Sequence, residues 1–277
     1  MGLRIATNIA SQNVQKNLKE VSNVGNAELE KLSSGKRITK ASDDAAGLAI
    51  STNLEAQTKG LRQATRNAND GISLVQTAEG GLNETTNILT RLRELTIQAA
   101  SDTVGETERG FLDKEYQQLN KEVDRISEST VFNGTQLLNG KGKGTMDFQV
   151  GAFAGEQNKI TFESGESDAS ASNIGISGTS IGEKGDALSA IADVDKAIEK
   201  VSGQRANLGS IQSRLQSTVK NLEVQTINQD SARSVIQDVD VAQSSATLAS
   251  SSVVKNAAVS TLAQANAIPN SALRLIN

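Results

Sequence analysis

A seven-residue alternation of small and aliphatic side chains restricts the fold of this chain more than any other feature. From Val75 it reads Val75, Ala78, Leu82, Thr85, Leu89, Leu92, Thr96, Ala99, with Leu74, Ile88 and Leu95 one position earlier widening the stripe. A second run, Leu112, Tyr116, Leu119, Val123, Ile126, steps by four and three. A third passes through Leu188, Ile191, Val194, Ile198, Val201, Arg205, Leu208, Ile211 and Leu215, with Val219 and Leu222 beyond. Seams this narrow belong to helices packed lengthwise, as in coiled coils, rather than to a helix laid on a broad globular core. One proline in 277 residues leaves such helices unbroken. A helix held from Asp186 to Val235 would be roughly 75 Å long at 1.5 Å per residue.

Composition removes most chemistry. The chain has no cysteine, so no disulfide, thiolate metal site or cysteine nucleophile. It has no histidine, the commonest general base and metal ligand. Asp43-Asp44 lacks the Asp/Asn/Gly loop pattern of a calcium site and reads as helix capping. Gly35-Lys36 lacks the upstream glycine of a phosphate loop, and the Gly140–Gly144 run reads as a turn. No enzyme, metal or cofactor is indicated. A net charge of −4 gives no reason to expect nucleic acid as a partner. No apolar run approaches the eighteen or so residues of a membrane span. Met1–Asn8 has no continuous apolar stretch of the secretory kind, which by itself points to the cytoplasm.

The two ends are alike. Residues 3–32 carry Leu3, Ile9, Val14, Leu18, Val21, Val24, Leu29 and Leu32. Residues 241–277 contain no acidic residue, and their only charges are Lys255 and Arg274. Each end is a weakly amphipathic helix with small side chains and little reason to fold alone. Residues 133–185 are rich in Gly, Ser, Asn and Thr, with Asn133-Gly134 and Asn139-Gly140 as turns. Within them Asp147–Val150 and Lys159–Phe162 alternate like two strands of a hairpin, joined by the Gly151–Asn158 loop. Ser164–Gly185 has few large apolar residues and reads as a surface loop with short strands. Ser33–Asp44 breaks the first helix from the next, with Ser42 as N-cap. The sequence thus predicts a mainly α fold. A long antiparallel, coiled-coil-like helical rod carries a small β-hairpin region at mid-chain, and the terminal helices pair as a second coiled coil. The expected domains are 1–40 with 240–277, and 41–239. The latter includes the β region at 133–185 and a short surface loop at 164–185.

Specific motifs lie on this frame. The run Leu32-Ser-Ser-Gly-Lys-Arg-Ile-Thr-Lys-Ala-Ser-Asp-Asp-Ala-Ala-Gly-Leu-Ala-Ile50 resembles the signature of bacterial flagellins, as does Arg66-Asn-Ala-Asn-Asp-Gly-Ile-Ser-Leu-Val-Gln-Thr-Ala-Glu-Gly-Gly-Leu-Asn-Glu84. Arg91–Gln98, Glu122–Ser127, Phe132-Asn-Gly134, Leu208–Leu215 and the ending Leu262–Pro269 continue the likeness in the family's order. The chain departs from many flagellins at Gln243–Ser252, where Ser, Ala and Thr replace a mixed acidic, Met- and Gln-containing stretch.

The resemblance implies a self-assembling subunit of the extracellular flagellar filament, with terminal helices lining the core and a rod around them. It implies export without a cleaved signal, and the export apparatus, an export chaperone, and cap and junction proteins as partners besides the chain itself. In flagellins that engage an innate immune receptor, recognition uses an arginine, a leucine and a glutamate, which fall here on Arg91, Leu95 and Glu115. A hook–filament junction protein, which resembles flagellin at both ends, is the alternative role; the matching mid-rod motifs argue against it. The residues expected to carry assembly and packing are Ile9, Val14, Leu18 and Val21 at one end, and Leu262 and Ile268 at the other. Along the rod they are Leu89, Leu92, Leu208, Ile211 and Leu215, with Gly80 and Gly81. Gly71, Gly80 and Gly81 each cost roughly 1 kcal/mol against alanine inside a helix, which suggests close approach of a neighbouring helix. Arg91 with Glu94, and Arg93 with Glu94 or Glu84, are the expected ion pairs.

Overall fold

The computed structural model describes residues 7–142 and 144–276, with side chains as far as Ile268. Leu3 of the terminal stripe and Lys143 of the Gly140–Gly144 run lie outside the described residues. Helices α1 (Ile9–Ser34), α2 (Ala45–Ala100) and α3 (Glu106–Ser129) come first, followed by strands β1 (Val131–Phe132), β2 (Thr135–Gln136), β3 (Thr145–Gln149) and β4 (Lys159–Glu163). A one-turn helix α4 (Ala171–Ile174) leads to α5 (Lys184–Gln237) and α6 (Val241–Ile276). The chain forms two compact units, Met1–Ala56 with Asn228–Asn277, and Gln57–Ile227.

In the second unit every position of the α2 repeat from Val75 to Ala99 is fully buried, Thr85 and Thr96 included. Those two hydroxyls donate within the helix, to the carbonyls of Gly81 and Arg93. Leu95 is buried as deeply, because α2 has neighbours on two sides and needs more than a two-residue seam. Arg91 reaches Glu115 of α3 and Arg93 reaches Asp195 of α5. Pairings with α5 run in opposite order along the chain. Asp102 accepts from Lys184 and Asp195 from Arg93, and a Cβ on Gly71 would lie 3.3 Å from Leu215. The two long helices are therefore antiparallel.

The α5 seam differs from the sequence expectation in its first turns. Leu188 is 55% exposed, and Ala187, Ala190, Val194 and Ala197 carry the buried line to Val201. Gln204, not Arg205, continues it before Leu208, Ile211, Leu215 and Leu222. On α3, Tyr116 and Val123 are buried as expected, but Leu112 and Leu119 are only partly so. Arg109, Asn120 and Ser127 share the inner face instead. Arg109 is drawn in because its guanidinium donates to the carbonyls of Ala99 and Ser101, satisfying the end of α2. Burial pushes the Tyr116 phenol above its usual range, partly offset by its hydrogen bond to Thr179.

Two small antiparallel sheets follow α3. β1 and β2 close around Asn133 (φ 48°) and Gly134 (φ 76°), both left-handed as a two-residue type I′ turn requires. β3 and β4 pair with Met146 opposite Phe162 and Phe148 opposite Ile160, which puts the apolar residues on one face. That face meets α2: a Cβ on Gly71 would lie 3.2 Å from the Phe148 ring.

The 164–185 segment is not a surface loop. Ser164, Ala169, Ala171, Ile174, Ile176 and Ile181 are buried, and its regular structure among the described residues, before α5 begins at Lys184, is α4, without strands. Its main chain is held by side chains spaced along one face of α3. Asp113 accepts from the Ile181 amide at 2.9 Å, and Gln117 donates to the Thr179 carbonyl at 2.9 Å. Asn120 donates to the Ile176 carbonyl at 2.8 Å, and Asp124 accepts from the Ala171 amide at 2.8 Å. A segment short of large apolar groups is thus packed by hydrogen bonding its backbone, which burial requires.

In the first unit, Gly35 ends α1 in the left-handed conformation (φ 70°), and the Lys36 backbone bridges to Asp238. The N-cap of α2 is Asp44, whose carboxylate accepts from the Gly47 amide at 2.8 Å; the exposed Ser42 lies in the turn before it. Asp43 closes that turn by accepting from the Lys40 and Thr39 amides, which hold its carboxyl below the usual range.

Candidate assembly surfaces

The terminal helices α1 and α6 pair antiparallel. Asn8 caps α1 by accepting from the Ser11 amide and donates its own amide to the Ala265 carbonyl at 2.8 Å. The Ser11 hydroxyl donates to Asn266. At mid-helix a Cβ on Gly25 would lie 3.8 Å from Ser251, so the serine-rich 243–252 stretch permits a close approach. Lys31 and Glu28 pair at 2.8 Å, and that lysine, helped by the Ser244 hydroxyl, holds the Glu28 carboxyl below its usual range.

The pairing covers little. Val14, Leu18 and Val21 turn toward α6 but stay half-buried, as does Leu262 of α6, and Ser11 is the one buried residue of α1. Ile9, Val24 and Leu29 of α1, and Val241, Val253, Val254, Val259 and Ile268 of α6, are 45 to 68% exposed. At about 100° per residue these α6 positions fall on several sides of the helix. α6 is therefore a Ser- and Ala-rich helix with apolar side chains left uncovered on more than one side, more than a single partner helix can bury. An open groove of about 600 Å³ runs along the pair, bordered by Val21, Val24, Ala246, Ser250 and Val254.

On the second unit, Arg91 bridges Glu115 at 2.8 Å and Glu94 at 3.0 Å, with Arg91 and Glu115 both about half exposed. Those carboxylates, Glu115 foremost, hold the guanidinium pKa above its usual value, as Asp195 does for Arg93. Arg93 thus pairs with Asp195 rather than with Glu94 or Glu84. Leu95 lies one helical turn after Arg91 on α2 but is wholly buried, so a partner touching Arg91 and Glu115 at the surface does not touch it. Leu89, Leu92, Leu208, Ile211 and Leu215 are all interior to the unit.

The adjacent helical glycines separate. A Cβ on Gly81 would lie 2.6 Å from Leu138 and 2.7 Å from Thr130, whereas Gly80 faces open space. Gly81 therefore serves packing within the chain. Among the described residues no helix is long and apolar enough to cross a membrane, and no acidic group is arranged to hold a metal.

Comparison with known proteins matches residues 5–143 to the bacterial flagellin N-terminal helical region and residues 191–276 to the bacterial flagellin C-terminal helical region. The chain belongs to the bacterial flagellin family. The flagellin of Halalkalibacterium halodurans is 41% identical over 269 residues, covering 97% of this chain and 98% of that one. The flagellar filament 31.3 kDa core protein of Treponema maltophilum is 37% identical over 270 residues, covering 92% and 94%. The crystal structure of Bacillus cereus flagellin superposes with a TM-score of 0.51 at 31% identity, covering 57% of this chain and 88% of that one. Between the two matched regions of this flagellin, residues 144–190 hold the β3–β4 hairpin, the buried 164–183 segment (the strap) and the start of α5.

The strap-binding residues Asp113, Gln117, Asn120 and Asp124 escape a sequence reading built on apolar spacing. Their signal is a second, polar stripe at helical intervals beside the Tyr116–Val123 seam.

Proposed function

We propose that this flagellin is the building block of an extracellular flagellar filament whose interior is formed by the terminal helices. The observation that carries the reading is the α1–α6 pair, apolar on several sides and covered on one. A lone pair of such helices gains little against a backbone cost of about 1–2 kcal/mol per residue. Among identical copies the remaining sides are covered, and folding of residues 1–40 and 240–277 is coupled to association. The domain of 41–239 then forms the outer wall. A contact repeated by a screw operation gives a polymer without a set length. Gly80, bare of intrachain neighbours, leaves room for a helix of an adjacent subunit.

The same reading takes the subunit out through the flagellar export apparatus without a cleaved signal, with an export chaperone, and places cap and junction proteins at the filament's ends. Purified protein is expected to grow filaments of unbounded length under the electron microscope. A product that stops at short rings would move the chain to the hook–filament junction role.

As a secondary role, Arg91 and Glu115 form the contact surface for a host innate immune receptor, with Leu95 supporting them from below. Arg91→Ala in depolymerised subunit is expected to lower receptor signalling at least about tenfold, equivalent to about 1.4 kcal/mol. Leu95→Ala is expected to act through lost core packing, at about 2–5 kcal/mol of stability. Unchanged signalling by Arg91→Ala removes the receptor reading.

A further inference from the structure

The links that carry the terminal helices differ in length. Residues 238–240 join α5 to α6, whereas residues 35–44 join α1 to α2. The start of α6 is therefore fixed by the end of α5. The end of α1 hangs on a link with enough slack for a slide of one helical turn, about 5.4 Å.

The facing sides of the helix pair resist such a slide only weakly. Toward α1, α6 presents Ser244, Thr247 and Ser251 at successive turns, with the half-buried Leu248 as the larger group among them. A shift by one turn exchanges one small hydroxyl side chain for another. Register in a helix pair is set by specific polar contacts or by large side chains keyed into holes, and this stretch has little of either.

The long link is instead pinned to the short one. The Arg37 amide donates to the Gln237 carbonyl at 2.7 Å, and the Val239 amide donates to the Gly35 carbonyl at 3.1 Å. The Arg37 guanidinium donates to the Ile236 carbonyl through both Nε and Nη2. One residue thus meets two of the last four carbonyls of α5, which have no partner within the helix, and places its charge at the helix's negative end. The next residue, Ile38, is 2% exposed and packs on the start of α2, 2.8 Å from where a Cβ on Gly47 would be. This clasp lies in line with the contacts of the helix pair. Lys36 bridges to Asp238, Glu28 accepts from Ser244, Gly25 approaches Ser251, and Ser11 donates to Asn266.

We propose that Arg37 is a positioning residue for assembly, which locks α1 onto α6 in a single register by holding the long link to the end of α5. The inference rests on the filament-subunit reading and adds to it what aligns the two helices. Because the lock acts within one chain, an independent intrachain lock should replace it.

The chain has no cysteine, so a disulfide can supply that second lock. Gly25→Cys with Ser251→Cys introduces one thiol pair, and the 3.8 Å between those Cβ positions lies within the span of about 3.5–4.5 Å that a disulfide takes. In this background, with the thiols reduced, Arg37→Ala is expected to raise the critical concentration for polymerisation at least about tenfold, as for the loss of one charge-assisted hydrogen bond. Oxidised before growth, the same variant is expected to come within about twofold of the oxidised parent, the coupling that a double-mutant cycle detects. An unchanged critical concentration in the reduced variant overturns the lock. So does a raised one that the disulfide does not restore, since Arg37 would then act other than through register. An oxidised parent that no longer grows while its reduced form does overturns the register itself. Failure of the unmodified chain to polymerise strikes at the filament reading instead.

Discussion

Gly81→Leu is expected to destabilise the Gln57–Ile227 unit by about 2–3 kcal/mol, lowering its Tm on the order of 5–10 °C for a domain of this size. The first added carbon would already sit 2.6 Å from Leu138, which is fully buried and has no free space to move into. On its other side is the Thr130 hydroxyl, fixed by donating to the Ile126 carbonyl. The gain of roughly 1 kcal/mol from replacing a helical glycine does not offset that overlap. Gly80→Leu, one residue earlier, meets nothing and should melt at or slightly above the parent temperature. Thermal unfolding of the two variants side by side separates packing inside the chain from a general intolerance of α2 to bulk. Equal melting temperatures would contradict the assignment of Gly81.

The double substitution Val253→Asp with Val259→Asp is expected to leave the Gln57–Ile227 unit unchanged and to abolish polymerisation at ordinary concentrations. Both valines are more than half exposed on sides of α6 turned away from α1, so the change costs the isolated subunit little. In an assembled interior each carboxylate would be buried without a partner, at a cost of several kcal/mol. With 1.4 kcal/mol for each factor of ten, the critical concentration should rise at least about a hundredfold. Sedimentation of the variant after seeding with parent filament fragments measures it. Normal growth would show that these faces remain in water.

Where apolar side chains are large, the sequence already shows the fold. The α2 line from Val75 to Ala99 is readable residue by residue, because leucine and valine at steps of three and four have one explanation. The start of α5 is harder to read. There the line is carried by Ala187, Ala190 and Ala197, and the larger Leu188 beside them draws a pattern reading to the wrong side. The helices lie close enough at that point for alanine to fill the gap. The strap was illegible for a different reason. Its burial depends on backbone amides that donate to Asp113 and Asp124 and backbone carbonyls that accept from Gln117 and Asn120, and a backbone leaves no mark in composition. Arg93 finds its carboxylate 102 residues away, across the rod, where local spacing gives no guidance. Ser42 and Asp44 are both good capping residues two positions apart, and the one that reaches the Gly47 amide fixes where α2 begins. The surface residues Arg91 and Glu115 came from motif likeness and prove to be paired, whereas Leu95 lies in the core because α2 is flanked by two helices.

Amide hydrogen exchange, read separately on monomer and on filament, tests most directly whether the terminal helices depend on their neighbours for order. In the monomer, amides of residues 9–34 and 241–268 should exchange close to the unprotected rate while those of 75–99 are strongly slowed. In the filament both groups should be slowed. Slow exchange of the terminal residues in a monomer that has never polymerised would contradict coupled folding and assembly.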